Sequence, residues 1–77
     1  MDTLKHIFSS VLAIDVLDVV ESLAPENTPS WDSLSAIILI TEIEKAFAVH
    51  FTFDEAMAVK NFGDAVALIT SKGVTLV

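Results

Sequence analysis

The chain has 77 residues, enough for one domain, with 53% hydrophobic residues and 4 lysines against 11 acidic residues, a net charge of −7 without a single arginine. That apolar content excludes intrinsic disorder. The acidic balance excludes nucleic-acid binding, because a phosphate backbone repels such a surface, and an anionic membrane repels it on the same ground.

At the N-terminus Asp2 precedes Lys5 and the apolar residues are spaced rather than continuous, unlike a secretory leader. There is no cysteine, hence no disulfide and no thiolate metal site, and the two observations together point to a cytoplasmic protein. Leu4, Ile7, Phe8, Val11 and Leu12 follow the spacing i, i+3, i+4, i+7, i+8. This predicts an amphipathic helix from about residue 2 to 14, with Asp2 or Thr3 as its N-cap. Residues 15–31 carry no comparable stripe. They read as a long loop with one short turn, pinned by Val16, Leu17, Val19, Val20 and Leu23, with Pro25 and Pro29 discouraging helix.

Asp32 caps the second helix, which should end near Phe47 or Ala48. Its residues Ala36, Leu39, Ile40, Ile43 and Phe47 share a core face, at roughly 100° per residue, with Ile37 at the edge. Leu34, Ile38, Thr41, Glu42 and Lys45 lie on the opposite side. The apolar run Ala36 to Ile40 is far too short to span a bilayer, which needs about 20 residues. Thr52-Phe53-Asp54-Glu55 has the form of a capping box and opens a short third helix ending near Lys60. Asn61 caps a fourth helix that Gly73 stops after Lys72; the tail from Val74 to Val77 is too short to assign. Three longer helices and one short one, without a strand pair, predict an all-α fold, a small four-helix bundle in one domain spanning 1–77.

The chemistry concentrates at Asp32-Ser33-Leu34, where a loop with two prolines gives way to a helix. An acid and a hydroxyl at a helix start are ordinary capping residues taken alone. The surroundings add more: the size, the acidic balance, the long first loop, a phenylalanine near the end of the second helix, Asp54-Glu55-Ala56 opening a short helix, and a last helix containing Val66-Ala67-Leu68-Ile69. Over nearly its whole length the chain resembles the acyl carrier protein family, and Trp31-Asp32-Ser33-Leu34 is similar to stand-alone carriers outside core fatty-acid synthesis. The resemblance implies a 4'-phosphopantetheine arm, derived from coenzyme A, on Ser33. It implies as partners a phosphopantetheinyl transferase and the acyl-loading and acyl-processing enzymes of a specialised lipid or secondary-metabolite pathway, with the protein acting as a monomer. A phosphodiester on Ser33 would stand at a helix N-terminus, where the macrodipole favours an anion by roughly 0.3–1 kcal/mol.

In the family the second helix is the partner-recognition helix and is usually acidic. Here Ile38 stands where acidic carriers often have glutamate, Lys45 breaks the acidic cluster, and Trp31 replaces a small residue. These departures point away from standard fatty-acid synthase partners, toward enzymes that read Leu34 and Ile38 by apolar contact, with Asp32, Thr41 and Glu42 beside them and Asp54 and Glu55 as a second acidic contact. A peptidyl or aminoacyl carrier using the same serine, and an unmodified helical adaptor, remain as alternatives. An enzyme is not expected. His6 and His50 lie far from Ser33 in sequence, Glu42 and Glu44 diverge on their helix, and Gly63 and Gly73 form no phosphate loop.

Overall fold

The computed structural model describes residues 1–76. Four α-helices follow in chain order: α1 (Asp2–Leu12), α2 (Ser33–Phe47), α3 (Phe53–Met57) and α4 (Phe62–Ser71). Single 3-10 turns at Val16–Asp18 and Pro25–Asn27 interrupt the loop between α1 and α2. The loop thus holds two turns rather than one, each begun by a local device: the Asp15 carboxylate accepts from Leu17 N–H (2.9 Å), and Pro25 presets the first φ of the second turn. Among the described residues no helix is long and apolar enough to cross a membrane.

The i, i+4 spacing of Leu4, Phe8 and Leu12 puts all three in the core. They meet Val19, Leu23 and Trp31 from the loop, Leu39 and Ile43 from α2, Phe51, and Phe62, Ala65 and Ile69 from α4. At its centre Phe8 makes edge-on contacts with Trp31 (centroids 5.4 Å apart) and Phe62 (4.9 Å), the arrangement that aromatic quadrupoles favour. Of the loop residues expected to pin the chain, Val19 and Leu23 do so. Leu17 and Val20 face solvent.

The helix ends differ in detail from the expectation. The cap of α1 is Met1, whose carbonyl accepts from Lys5 N–H (3.1 Å), so Asp2 already lies inside the helix. The helix stops at Leu12 rather than residue 14, because Ala13 turns left-handed (φ 55°) and Ile14 N–H closes back onto Ser9 C=O at 3.1 Å. Ala48 ends α2 in the same conformation (φ 55°). An alanine at such a position carries a Cβ penalty of about 1–2 kcal/mol that glycine avoids. The short α3 ends at Met57 instead of Lys60, since the Lys60 N–H is already taken by the Asp64 carboxylate (3.1 Å).

Backbone pairs fix the long loop to α4. Phe62 N–H donates to Leu23 C=O (2.8 Å) and Gly63 N–H to Glu21 C=O (3.1 Å). A Cβ at Gly63 would come within 3.2 Å of Asn61 Oδ1 and 3.4 Å of Glu21 C=O, so a side chain there would press on both groups. Upstream of α2, Asn27 accepts from Ala24 N–H (3.0 Å) and donates to Ser22 C=O (3.0 Å), and Trp31 N–H donates to Thr28 C=O (2.9 Å). The loop therefore delivers Trp31 and Asp32 in a fixed position.

Candidate functional site

Two residues hold the start of α2. Asp32 Oδ1 accepts from Ser35 N–H at 2.9 Å, and this bond holds the Asp32 carboxyl below its ordinary range. Trp31, immediately before the cap, packs with Ala36 around one small cavity; an apolar residue before the cap packing on the fourth helical position is a hydrophobic staple. Between these anchors Ser33 is the first helical residue and is exposed, and no hydrogen bond within the described residues engages its hydroxyl. The site is a rigid helix start that presents a free hydroxyl to solvent.

Beside Ser33 the outer face of α2 is apolar. Leu34 is 67% exposed and Ile38 42%, as expected from their positions on the wheel. Ile37, expected at the edge of the core, is 65% exposed and extends the same surface. Glu44 Oε2 accepts from Phe51 N–H (2.9 Å), which ties the segment leading to α3 to the far end of α2. Ala36 and Ile40 line a small cavity together with Ala56 of α3, whereas Ile37 does not. Thr41, also exposed, spends its hydroxyl on Ile37 C=O (3.0 Å).

The acidic residues separate into two groups. Asp32 and Asp54 are exposed. Glu42 lies near Lys45, one turn away and largely exposed, at 3.6 Å, a pair that counts for little in water. Glu55 is committed internally: it accepts from Thr52 N–H at 2.9 Å, completing the capping box, and pairs with Lys72 at 2.8 Å. Lys72 holds the Glu55 carboxyl below its ordinary range and stands over the Phe51 ring at 5.9 Å. Glu55, expected as an acidic contact for a partner, is thus already paired within the chain.

The sequence reading missed Phe53 and Met57. They lie at i, i+4 on α3, both strongly exposed, on the flank away from the Glu55–Lys72 pair. Their spacing was the available signal. The reading also treated Trp31 as a departure from a pattern and not as a core residue; its place before the N-cap was the clue. His6 points its Nδ1 at Asp2 C=O (2.8 Å), and His50 lies 3.4 Å from Glu44 at the opposite end of α2 from Ser33. Neither makes a hydrogen bond with Ser33 among the described residues, and no group of three or more metal-ligating side chains forms among them.

No family model matches the sequence, and no curated protein matches it either. Among solved structures, the chain is similar to the solution NMR structure of a holo acyl carrier protein from Geobacter metallireducens. The two are 31% identical and superpose with a TM-score of 0.81, over 92% of this chain and 82% of the other. Identity at that level over that length, with the same helical fold, places the chain in the acyl carrier protein family.

Proposed function

We propose that Ser33 carries a 4'-phosphopantetheine arm and that the chain, acting as a single domain, holds acyl intermediates on it as thioesters for a specialised lipid or secondary-metabolite pathway. The fold is that of a carrier and not of an enzyme. The observation that carries the reading is the Ser33 hydroxyl: exposed, unbonded and fixed at a helix start by the Asp32 cap and the Trp31 staple. It fits the group, since nothing crowds the hydroxyl and the arm can leave directly into solvent. A phosphopantetheinyl transferase would accept the Ser33 proton as the hydroxyl oxygen attacks the β-phosphorus of coenzyme A. The new bond is the serine phosphodiester, the bond broken is the pyrophosphate link, and the 3'-phosphorylated adenosine monophosphate leaves. The thiol that the arm supplies when bound is the only reactive group in the system; the chain positions and presents it.

The partner surface is the apolar face of Leu34, Ile37 and Ile38, joined across the α2–α3 seam by Phe53 and Met57. Thr41 adds a methyl, and Asp32, Glu42 and Asp54 supply negative charge at its margin. A partner that fits has an apolar recess with a basic rim. With a net charge of −7 a second copy is repelled, which favours a monomer. Binding there should depend less on salt than docking of an acidic helix, because burial rather than ion pairing drives it.

The test uses butyryl-coenzyme A with a broad-specificity transferase. Transfer of the whole acyl arm to Ser33, followed by loss of only the acyl mass in neutral hydroxylamine, identifies a thioester carrier. A protein that never gains the arm is an adaptor and not a carrier.

A further inference from the structure

The helix α3 carries two apolar residues of the partner surface, Phe53 and Met57, yet burial does little to hold it. None of its five residues is buried; Ala56 is half-buried, as is Val59 just beyond its end. A helix this short has no stability of its own, since isolated helices below about 12–15 residues are marginal in water. Its position comes from polar contacts around it. At the α4 end these converge on Lys72, the residue that caps α4. Lys72 Nζ lies 2.8 Å from each Glu55 carboxylate oxygen, and Glu55 Oε1 also accepts from Thr52 N–H at 2.9 Å. We propose that Lys72, remote from Ser33 in sequence, is a positioning residue for docking. Through Glu55 it holds α3 in place, so that a partner enzyme meets Phe53 and Met57 already assembled beside Leu34, Ile37 and Ile38. The docking role rests on Ser33 bearing the arm; the hold on α3 does not.

An exposed ion pair contributes little when two flexible side chains must be ordered in water to form it. Glu42 and Lys45 are such a pair, 3.6 Å apart with side chains 45% and 74% exposed. The Lys72 and Glu55 side chains are 28% and 31% exposed, and each is ordered by other contacts. Glu55 is fixed by the capping box. The Lys72 ammonium stands 5.9 Å from the centre of the Phe51 ring, which is itself only 7% exposed. The Lys72 backbone is held by its N–H bond to Ile69 C=O (3.0 Å), and its charge complements the negative end of the α4 dipole. A charge-assisted bond between two groups already ordered keeps more of its strength than one on a mobile surface. It acts on the side of α3 away from Phe53 and Met57, which leaves both open to a partner.

The test begins on the chain without its arm, by amide hydrogen exchange at Ala56, Ala58 and Val59, whose N–H groups close the turns of α3. Glu55→Gln keeps the capping box, which accepts glutamine, but removes the charge. Lys72→Met removes the ammonium and keeps the chain length. Each should speed exchange at these amides about fivefold, and the double variant no more than either alone. Lys72→Arg should return slow exchange, because it restores a charged partner for the carboxylate. Steady-state arm transfer from coenzyme A by a broad-specificity transferase is then measured on the same variants. KM for the chain should rise about twofold in Glu55→Gln and Lys72→Met, with kcat at the wild-type value because Ser33 and its cap are untouched. Exchange within twofold of wild type in both variants overturns the hold on α3. Faster exchange with an unchanged KM, or with a loss in kcat alone, overturns the docking role. A wild-type chain that accepts no arm overturns the carrier reading and the docking role together, while the exchange rates still decide the hold on α3.

Discussion

The two sides of α2 are made from the same kinds of residue and do opposite work. Leu39 and Ile43 are 2% and 1% exposed, while Leu34 and Ile37 on the same helix are 67% and 65% exposed. Neither composition nor hydrophobicity separates them. What separates them is angle about the helix axis: Leu39 and Ile43 point into the cluster shared with α1 and α4, whereas Leu34 and Ile37 do not. On the proposed carrier reading, the apolar surface left open beside the accessible serine is where a partner docks. The inner side holds the fold; the outer side can change without unfolding it.

This contrast can be broken by substitution. The largest effect should come from the inner side: Ile43→Ala empties a fully buried position and should cost about 2–5 kcal/mol in urea unfolding, with a cavity left behind. A loss below about 1 kcal/mol would mean that the interior of α2 is loosely packed. A smaller and opposite effect is expected where the helix leaves the core. Ala48→Gly removes the left-handed Cβ penalty and should raise stability by about 1 kcal/mol. If it lowers stability instead, the greater freedom of glycine in the unfolded chain outweighs the relief.

Asp32 tests the hinge between the two sides by its titration. Its folded pKa is depressed by the Ser35 N–H bond, so its contribution is present above the ordinary carboxylate value and is lost as pH falls through the lower folded value. Acidification from pH 5 to below about pH 3 should thus weaken the wild-type chain more than Asp32→Asn, where a neutral amide keeps the cap. Identical acid unfolding curves would show that Asp32 does not cap α2 in solution. The smallest effect on stability belongs to the outer side. Ile38→Glu should stay within about 0.5 kcal/mol of wild type, including repulsion from Glu42 one turn away, yet weaken binding to the processing enzyme. A large stability loss would place Ile38 in the core.

Much of this was legible in the sequence because it depends on local rules. The i, i+3, i+4 stripe of Leu4, Ile7 and Phe8, the caps Asp32, Thr52 and Asn61, and the stop at Gly73 all act within one helical turn and appear in the structure as expected. What was hidden depends on distant partners. The commitment of Glu55 follows from a lysine seventeen residues on, and the burial of Trp31 from Phe8 in α1. The first helix ended early for a subtler reason: Ala13 has no sequence signature of a left-handed residue, since glycine is the usual choice there. At the site, the hydroxyl of Ser33 and its cap were readable, but the burial of Trp31 beside them was not.

The account stands on Ser33 as the attachment point. The most direct measurement is intact mass after incubation with coenzyme A and a broad-specificity phosphopantetheinyl transferase, on the wild-type chain and on Ser33→Ala, with fragment masses locating the addition. The predicted result is a single pantetheine-sized gain on Ser33 in the wild-type chain and none in Ser33→Ala. An equal gain in Ser33→Ala, or no gain in either with several transferases, would contradict it.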